Sequence, residues 1–148
     1  VIGVDVAELP EVDFKMSIQN FHRRKPFKER TADWILCFGP FNYGGSKWAT
    51  EIGECMSYYL AEHGTIVCHT HPTNSEIDWT EENITTYGKE FGFVTESVQI
   101  GHTDIMTMSM EELDIQQEVA SRSPDIAMEL SLGKDLIRPM VVWRWKHK

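Results

Sequence analysis

Residues 64–83, GTIVCHTHPTNSEIDWTEEN, hold the side chains whose types and spacing point most directly to chemistry. His69 and His71 stand one residue apart after a short apolar run, and Pro72 follows at once. Four acidic residues and two asparagines come within the next twelve positions. On a strand, alternate residues share a face, so two such imidazoles lie about 7 Å apart at Cα and can converge on one metal ion. Two histidines and a carboxylate leave the fourth tetrahedral position for water, as in a catalytic zinc site. The third ligand would come from the loop or the next helix start, where Glu76, Asp78, Glu81, Glu82 and Asn83 lie. The alternative from spacing alone is a polar surface loop that holds two histidines.

These residues need elements to position them. Trp34–Phe38 is a compact apolar run ending at Gly39-Pro40 and reads as a buried strand. From Ser46 the period changes: Trp48, Ile52, Met56, Tyr59 and Leu60 recur at three and four residues, which predicts a helix with Ser46 as N-cap and Gly64 closing it. Thr65–Cys68 is the next strand, with Cys68 facing the core, and leads into His69. A second helix follows from Thr80 to about Phe91, and its acidic first turn suits the helix dipole. Ser97–Met108 alternates as a strand, on which His102 and Asp104 share a face. Ser109-Met-Glu-Glu112 forms a capping box for a third helix, Ser123-Pro124 opens a fourth that Gly133 can close, and Met140–Trp145 is a final strand. Residues 1–30 are the least readable, with a short strand at Val1–Val6. The expectation is one α+β (mixed α/β) domain over residues 1–148, a central sheet with about four helices against it.

Composition narrows the function. A net charge of −9 argues against nucleic acid as main partner, because phosphate binding needs a positive surface. The basic run His22-Arg-Arg-Lys25 with Lys28 is short and reads as a solvated turn or as a docking patch for an acidic partner. No apolar stretch approaches the roughly 20 residues that cross a bilayer, so no membrane partner is expected. Three cysteines without CxxC spacing read as buried thiols of a reducing, cytoplasmic compartment. The chain opens on Val1 and not Met, which reads as an excised domain or a processed fragment delivered as part of a larger protein.

The His69-Thr-His71-Pro72 stretch resembles the JAMM metalloproteases (also called JAB or MPN-plus), whose hallmark continues with seven residues, Ser, two residues and Asp. Thr80 stands where the family has Ser, and Asn83 where it has the ligand Asp. The RadC-like branch is similar in its preceding helix, and such HTHP segments also occur in bacterial toxin-type domains. The likeness covers roughly residues 46–108. It implies a JAMM/cytidine-deaminase-like layout and one Zn2+ ion held by His69, His71 and either Asp78, favoured for its charge, or Asn83, favoured by spacing. A second register, Ser75-Glu-Ile-Asp78, supplies a true Ser-x-x-Asp on a shorter loop.

The implied activity is hydrolysis of a peptide or isopeptide bond in a protein or peptide substrate, with a glutamate as general base. Glu51 is the geometric choice, with Glu54, Glu29 and Glu11 as alternatives, and Ser75 or Thr80 would donate to the oxyanion. The competing expectations are a metal-free JAMM-like scaffold or toxin-type domain, and a cupin-like metal protein, since Gly64, His69, His71 and Glu76 roughly imitate the first cupin motif.

Overall fold

In the computed structural model, residues 2–6, 12–38, 41, 45–72, 76–102, 118, 121 and 139–148 are described. Two short strands come first, β1 (Val4–Asp5) and β2 (Phe14–Lys15), and they pair in parallel. Helix α1 (Ile18–Arg24) follows, then β3 (Ala32–Phe38), α2 (Ser46–Tyr59), β4 (Leu60–Thr70), α3 (Glu81–Glu90), β5 (Phe93–His102) and β6 (Pro139–His147). The main sheet has the order β3-β4-β6-β5. β3 and β4 are parallel, while β6 is antiparallel to both β4 and β5. It follows that β5 runs in the same direction as β3 and β4. The chain therefore makes a β-α-β-α-β unit, β3 to β5, and β6 returns to fill the gap between β4 and β5.

Both connecting helices pack on one face of this sheet. Ala49, Ile52 and Met56 from α2 and Ile84 from α3 meet Cys37, Ile66, Cys68, Trp143 and Trp145 in one core. Sterics at two glycines allow it. A methyl at Gly53 would come within 2.5 Å of the Phe91 ring, and one at Gly88 within 2.7 Å of Trp145 Nε1. The Tyr87 hydroxyl donates to the Ala49 carbonyl and ties α3 to α2. A second, smaller core joins Phe21 of α1 to Cys55 and Tyr59 of α2, with Phe14 edge-on to Phe21 at 5.2 Å. No helix among the described residues is long and apolar enough to cross a membrane.

The mixed α/β class is observed, and several boundaries differ from expectation. Gly45, not Ser46, is the N-cap of α2, and it has no capping side chain. Gly64 does not end that helix, which stops at Tyr59; it lies inside β4, where a Cβ would press on the Ala32 carbonyl at 2.9 Å. Close backbone approach, not a left-handed cap, is what requires glycine there. Helix α1 carries little apolar periodicity, only Ile18 and Phe21, and it is set by the Ser17 hydroxyl accepting the Asn20 N–H at 3.2 Å. Three helices have described ranges; of the expected helix opened by Ser109 only Glu118 and Ser121 are described, both helical, and the one opened by Ser123, with the strand beyond His102, lies outside the described residues.

Candidate functional site

Because β3, β4 and β5 share a direction, their carboxyl ends open on one rim. In parallel α/β sheets ligands bind at this end, where the loops are free of the helices' return path. The loop after β3 brings Phe41 and Gly45 to the rim. The loop after β4 brings His71 to Thr80, and β5 ends at His102. His102 is two strand spacings, about 10 Å, from the end of β4.

The two loops are clasped together. Phe41 and Trp79, both almost fully buried, meet with ring centroids 4.9 Å apart, and Trp79 stacks on Trp143 of β6 at 5.2 Å. The Trp79 N–H donates to the Pro72 carbonyl at 2.7 Å and closes the loop's base. At the second point, a Cβ on Gly45 would lie 1.8 Å from Glu76 Oε2. The Glu76 carboxylate thus sits against the N-terminus of α2, where the N-cap offers no side chain of its own and the helix dipole favours an anion.

The polar side chains singled out in the sequence separate into different places. His69 belongs to β4 and is 5% exposed, opposite Val142 of β6 and beside Phe38 of β3. His71 is past the strand end and exposed. Thr80, Asn83 and Asp78 do come together, as the cap of α3. The Asn83 N–H donates to Thr80 Oγ1 at 3.2 Å, and Asn83 Nδ2 donates to the Asp78 carbonyl at 2.7 Å. Glu51 lies half-buried in the second turn of α2, and Ser75 falls outside the described residues. Among the described residues, no group of three or more His, Cys, Asp or Glu side chains is arranged to hold a metal ion.

The zinc centre of His69, His71 and Asp78 or Asn83 is therefore corrected. The Asn83 amide is turned to the backbone of its own cap, and the Thr80 oxygen takes a helix N–H. Burial, with Cys37 nearby, pushes Cys55 up to about 12, and burial likewise raises Cys68, so both remain protonated at neutral pH. Two features escaped the sequence analysis. Trp79, a lone large apolar residue in a polar loop, was a visible sign of an anchor. The pairing of Glu76 with Gly45 had no sequence signal.

No protein-family model matches the chain, and no curated protein matches it by sequence. Solved structures do match its fold. A SAM-dependent methyltransferase from Archaeoglobus fulgidus is 14% identical with a TM-score of 0.57, over 98% of this chain and 75% of that one. A putative sarcosine dimethylglycine methyltransferase from Galdieria sulphuraria is 14% identical with a TM-score of 0.52, over 90% of this chain and 57% of that one. The cyclase SpnF is 11% identical with a TM-score of 0.52, over 93% of this chain and 57% of that one. The fold of this chain is similar to that of these two methyltransferases and of the cyclase. The chain spans just over half the length of the Galdieria protein and of the cyclase.

That finding overturns the JAMM resemblance in each of its forms, RadC-like, toxin-type and metal-free scaffold, and with it the deaminase-like layout. The zinc-dependent peptide or isopeptide hydrolase falls as well, and a β-α-β-α-β unit is not a cupin barrel. An apolar strand that runs into a polar loop is common to the carboxyl ends of parallel sheets, and here the His69-Thr-His71-Pro72 run spans that junction.

Proposed function

We propose that this chain takes part in methyl transfer from S-adenosylmethionine and builds one wall of the site where it occurs. The observation that carries the reading is the sheet: β3, β4 and β5 open on one rim, β6 is inserted antiparallel between β4 and β5, and methyltransferases match this fold. When bound, S-adenosylmethionine supplies an electrophilic methyl group on a sulfonium.

The fit to that cofactor is incomplete among the described residues. Glu76 and Asp78 give the rim the negative charge that complements a cation. A cleft of about 420 Å³, however, lies between α3 and β5 and not at the rim, and the sequence contains no G-x-G-x-x-G turn. These residues alone do not make the cofactor's cradle. What they supply is a clasped wall and one outward imidazole. His71 stands exposed just past the end of β4, at the rim, as an imidazole of the kind that serves general acid–base chemistry. Thr80 and Glu76 position the loop that carries it.

The test is calorimetric titration of the full polypeptide carrying this chain with S-adenosylmethionine and S-adenosylhomocysteine, followed by a methyl-transfer assay. Micromolar binding is expected. No heat up to about 1 mM, a free energy weaker than about −4 kcal/mol, would overturn the reading. SpnF shows that this fold also belongs to a cyclase. Cofactor binding without formation of S-adenosylhomocysteine from S-adenosylmethionine would favour a non-methylating reaction on the same fold.

A further inference from the structure

The opposite end of the sheet carries a second feature. Between residues 22 and 30 the chain places five of its fourteen Lys and Arg residues and one of its 23 acids, in a molecule of net charge −9. Arg23, Arg24, Lys25, Lys28 and Arg30 are all exposed. The segment follows α1 and precedes β3, so it lies at the amino end of that strand, beside the last turn of α2.

The turn is held in shape. Lys25 and Arg30 have φ values of 44° and 55°, and they are the non-glycine residues with positive φ among those described. Side chains of this kind adopt the left-handed region rarely and only when their surroundings impose it. The Lys25 N–H donates to the Phe21 carbonyl at 3.1 Å, and the Arg30 N–H to the Tyr58 carbonyl at 2.9 Å. The Thr31 hydroxyl donates to the Lys28 carbonyl at 2.9 Å. The Lys25 ammonium lies 4.8 Å over the Tyr58 ring. In the middle stands Phe27, 39% exposed, with its ring 5.7 Å from Phe14 and 6.2 Å from Phe21. One side of Phe27 is thus anchored and the other is presented to solvent. Among the described residues the ion pair of Lys146 with Glu96 is on the far strands, and none engages these five cations.

We propose that the turn 23–30 is a docking surface for an acidic protein segment that places an apolar side chain on Phe27. The chemistry favours protein. A half-exposed aromatic anchor in a turn that carries three arginines has the composition of a protein-binding hot spot, and guanidinium forks pair with carboxylates two bonds at a time. A turn already fixed by its backbone loses little freedom on binding. A nucleic acid would extend past the patch onto a body that holds 22 carboxylates against nine cations, and it would be repelled there. The surface does not compete with the rim. Helix α2 runs the 14 residues from Ser46 to Tyr59, about 21 Å, between the two ends.

The experiment uses the full chain and a short fluorescein-labelled peptide of Asp and Glu around one Trp, followed by anisotropy. Saturable binding in the range of about 10–100 μM is expected. Arg24→Glu with Lys28→Glu should weaken it roughly tenfold and Phe27→Ser several-fold. Lys47→Glu with Lys89→Glu, the same change of charge at exposed positions on other helices, should leave it within about twofold. These are surface positions, so circular dichroism should show every variant folded. An absence of binding to the parent chain, or an equal loss in the Lys47/Lys89 control, overturns the proposal. So does tighter binding of a short single-stranded RNA or of phosphatidylserine vesicles than of the peptide.

Discussion

The two ends of one sheet use their polar residues in opposite ways. At the carboxyl end, where spacing made the side chains look catalytic, most of them hold backbone in place. Thr80 and Asn83 cap α3, Glu76 faces the start of α2, and Trp79 pins the loop to Phe41 and Trp143. At the amino end, a run that reads as an ordinary solvated turn holds its backbone with main-chain bonds and left-handed residues. Its cations stay exposed, with Lys25 lying over the Tyr58 ring and Arg23 donating to Asn20 Oδ1. The difference teaches that a motif of reactive residue types says little until the claims of caps and turns on those residues are known. What distinguishes His71 and the 23–30 turn is that their side chains reach solvent.

The comparison breaks most visibly at Trp79. Trp79→Ala removes a side chain 2% exposed from the stack on Phe41 and Trp143, and a loss of about 3–5 kcal/mol in urea-unfolding stability is expected. A loss under about 1 kcal/mol would mean that the loop after β4 is not clasped by its rings. Arg24→Glu with Lys28→Glu, at the other end, should change stability by less than about 0.5 kcal/mol.

Thr80 sharpens the same contrast at smaller scale. If its oxygen serves as the cap of α3, Thr80→Ala should cost about 1 kcal/mol and Thr80→Ser should restore most of it. Equal stabilities for Thr80, Ala and Ser, with activity lost only in Ala, would return Thr80 to a chemical role.

The smallest effect is a pH dependence at the amino end. Burial holds the His22 imidazole below its ordinary value of 6.5; Lys25 adds to this, and Glu54 opposes it. The unfolded chain therefore takes up a proton near pH 6.5 that the folded one refuses. Stability contributed by this group is present above that pH, falls as pH drops through it, and levels off below the folded value. His22→Gln should flatten the urea midpoint between pH 7 and 5 relative to the parent. An unchanged slope would show that His22 titrates normally.

Much of the local structure was legible in the sequence because burial imposes a period. The run Trp34–Phe38 marks β3, the three- and four-residue recurrence from Trp48 marks α2, Thr80 marks the start of α3, and Met140–Trp145 lies within β6. The candidate site was less so. His71 stands on the rim, while Thr80 and Asn83 close by are engaged in the cap of α3. Glu76 reaches α2 across 31 positions, and no spacing along the chain announces such a contact.

Alone, then, the sequence determined the mixed α/β class, the order of strands and helices from Trp34 to Phe91, and an acidic composition interrupted by one basic turn. These are local or additive properties: each follows from a residue's own burial, propensity or charge. Only the tertiary structure decided that β6 enters between β4 and β5, that α1 exists against Tyr59, and that Thr80 and Asn83 of the segment after β4 serve the cap of α3. Those outcomes depend on which distant segments compete for the same hydrogen bonds and the same apolar face, and pairwise competition of that kind is settled only when the chain has folded.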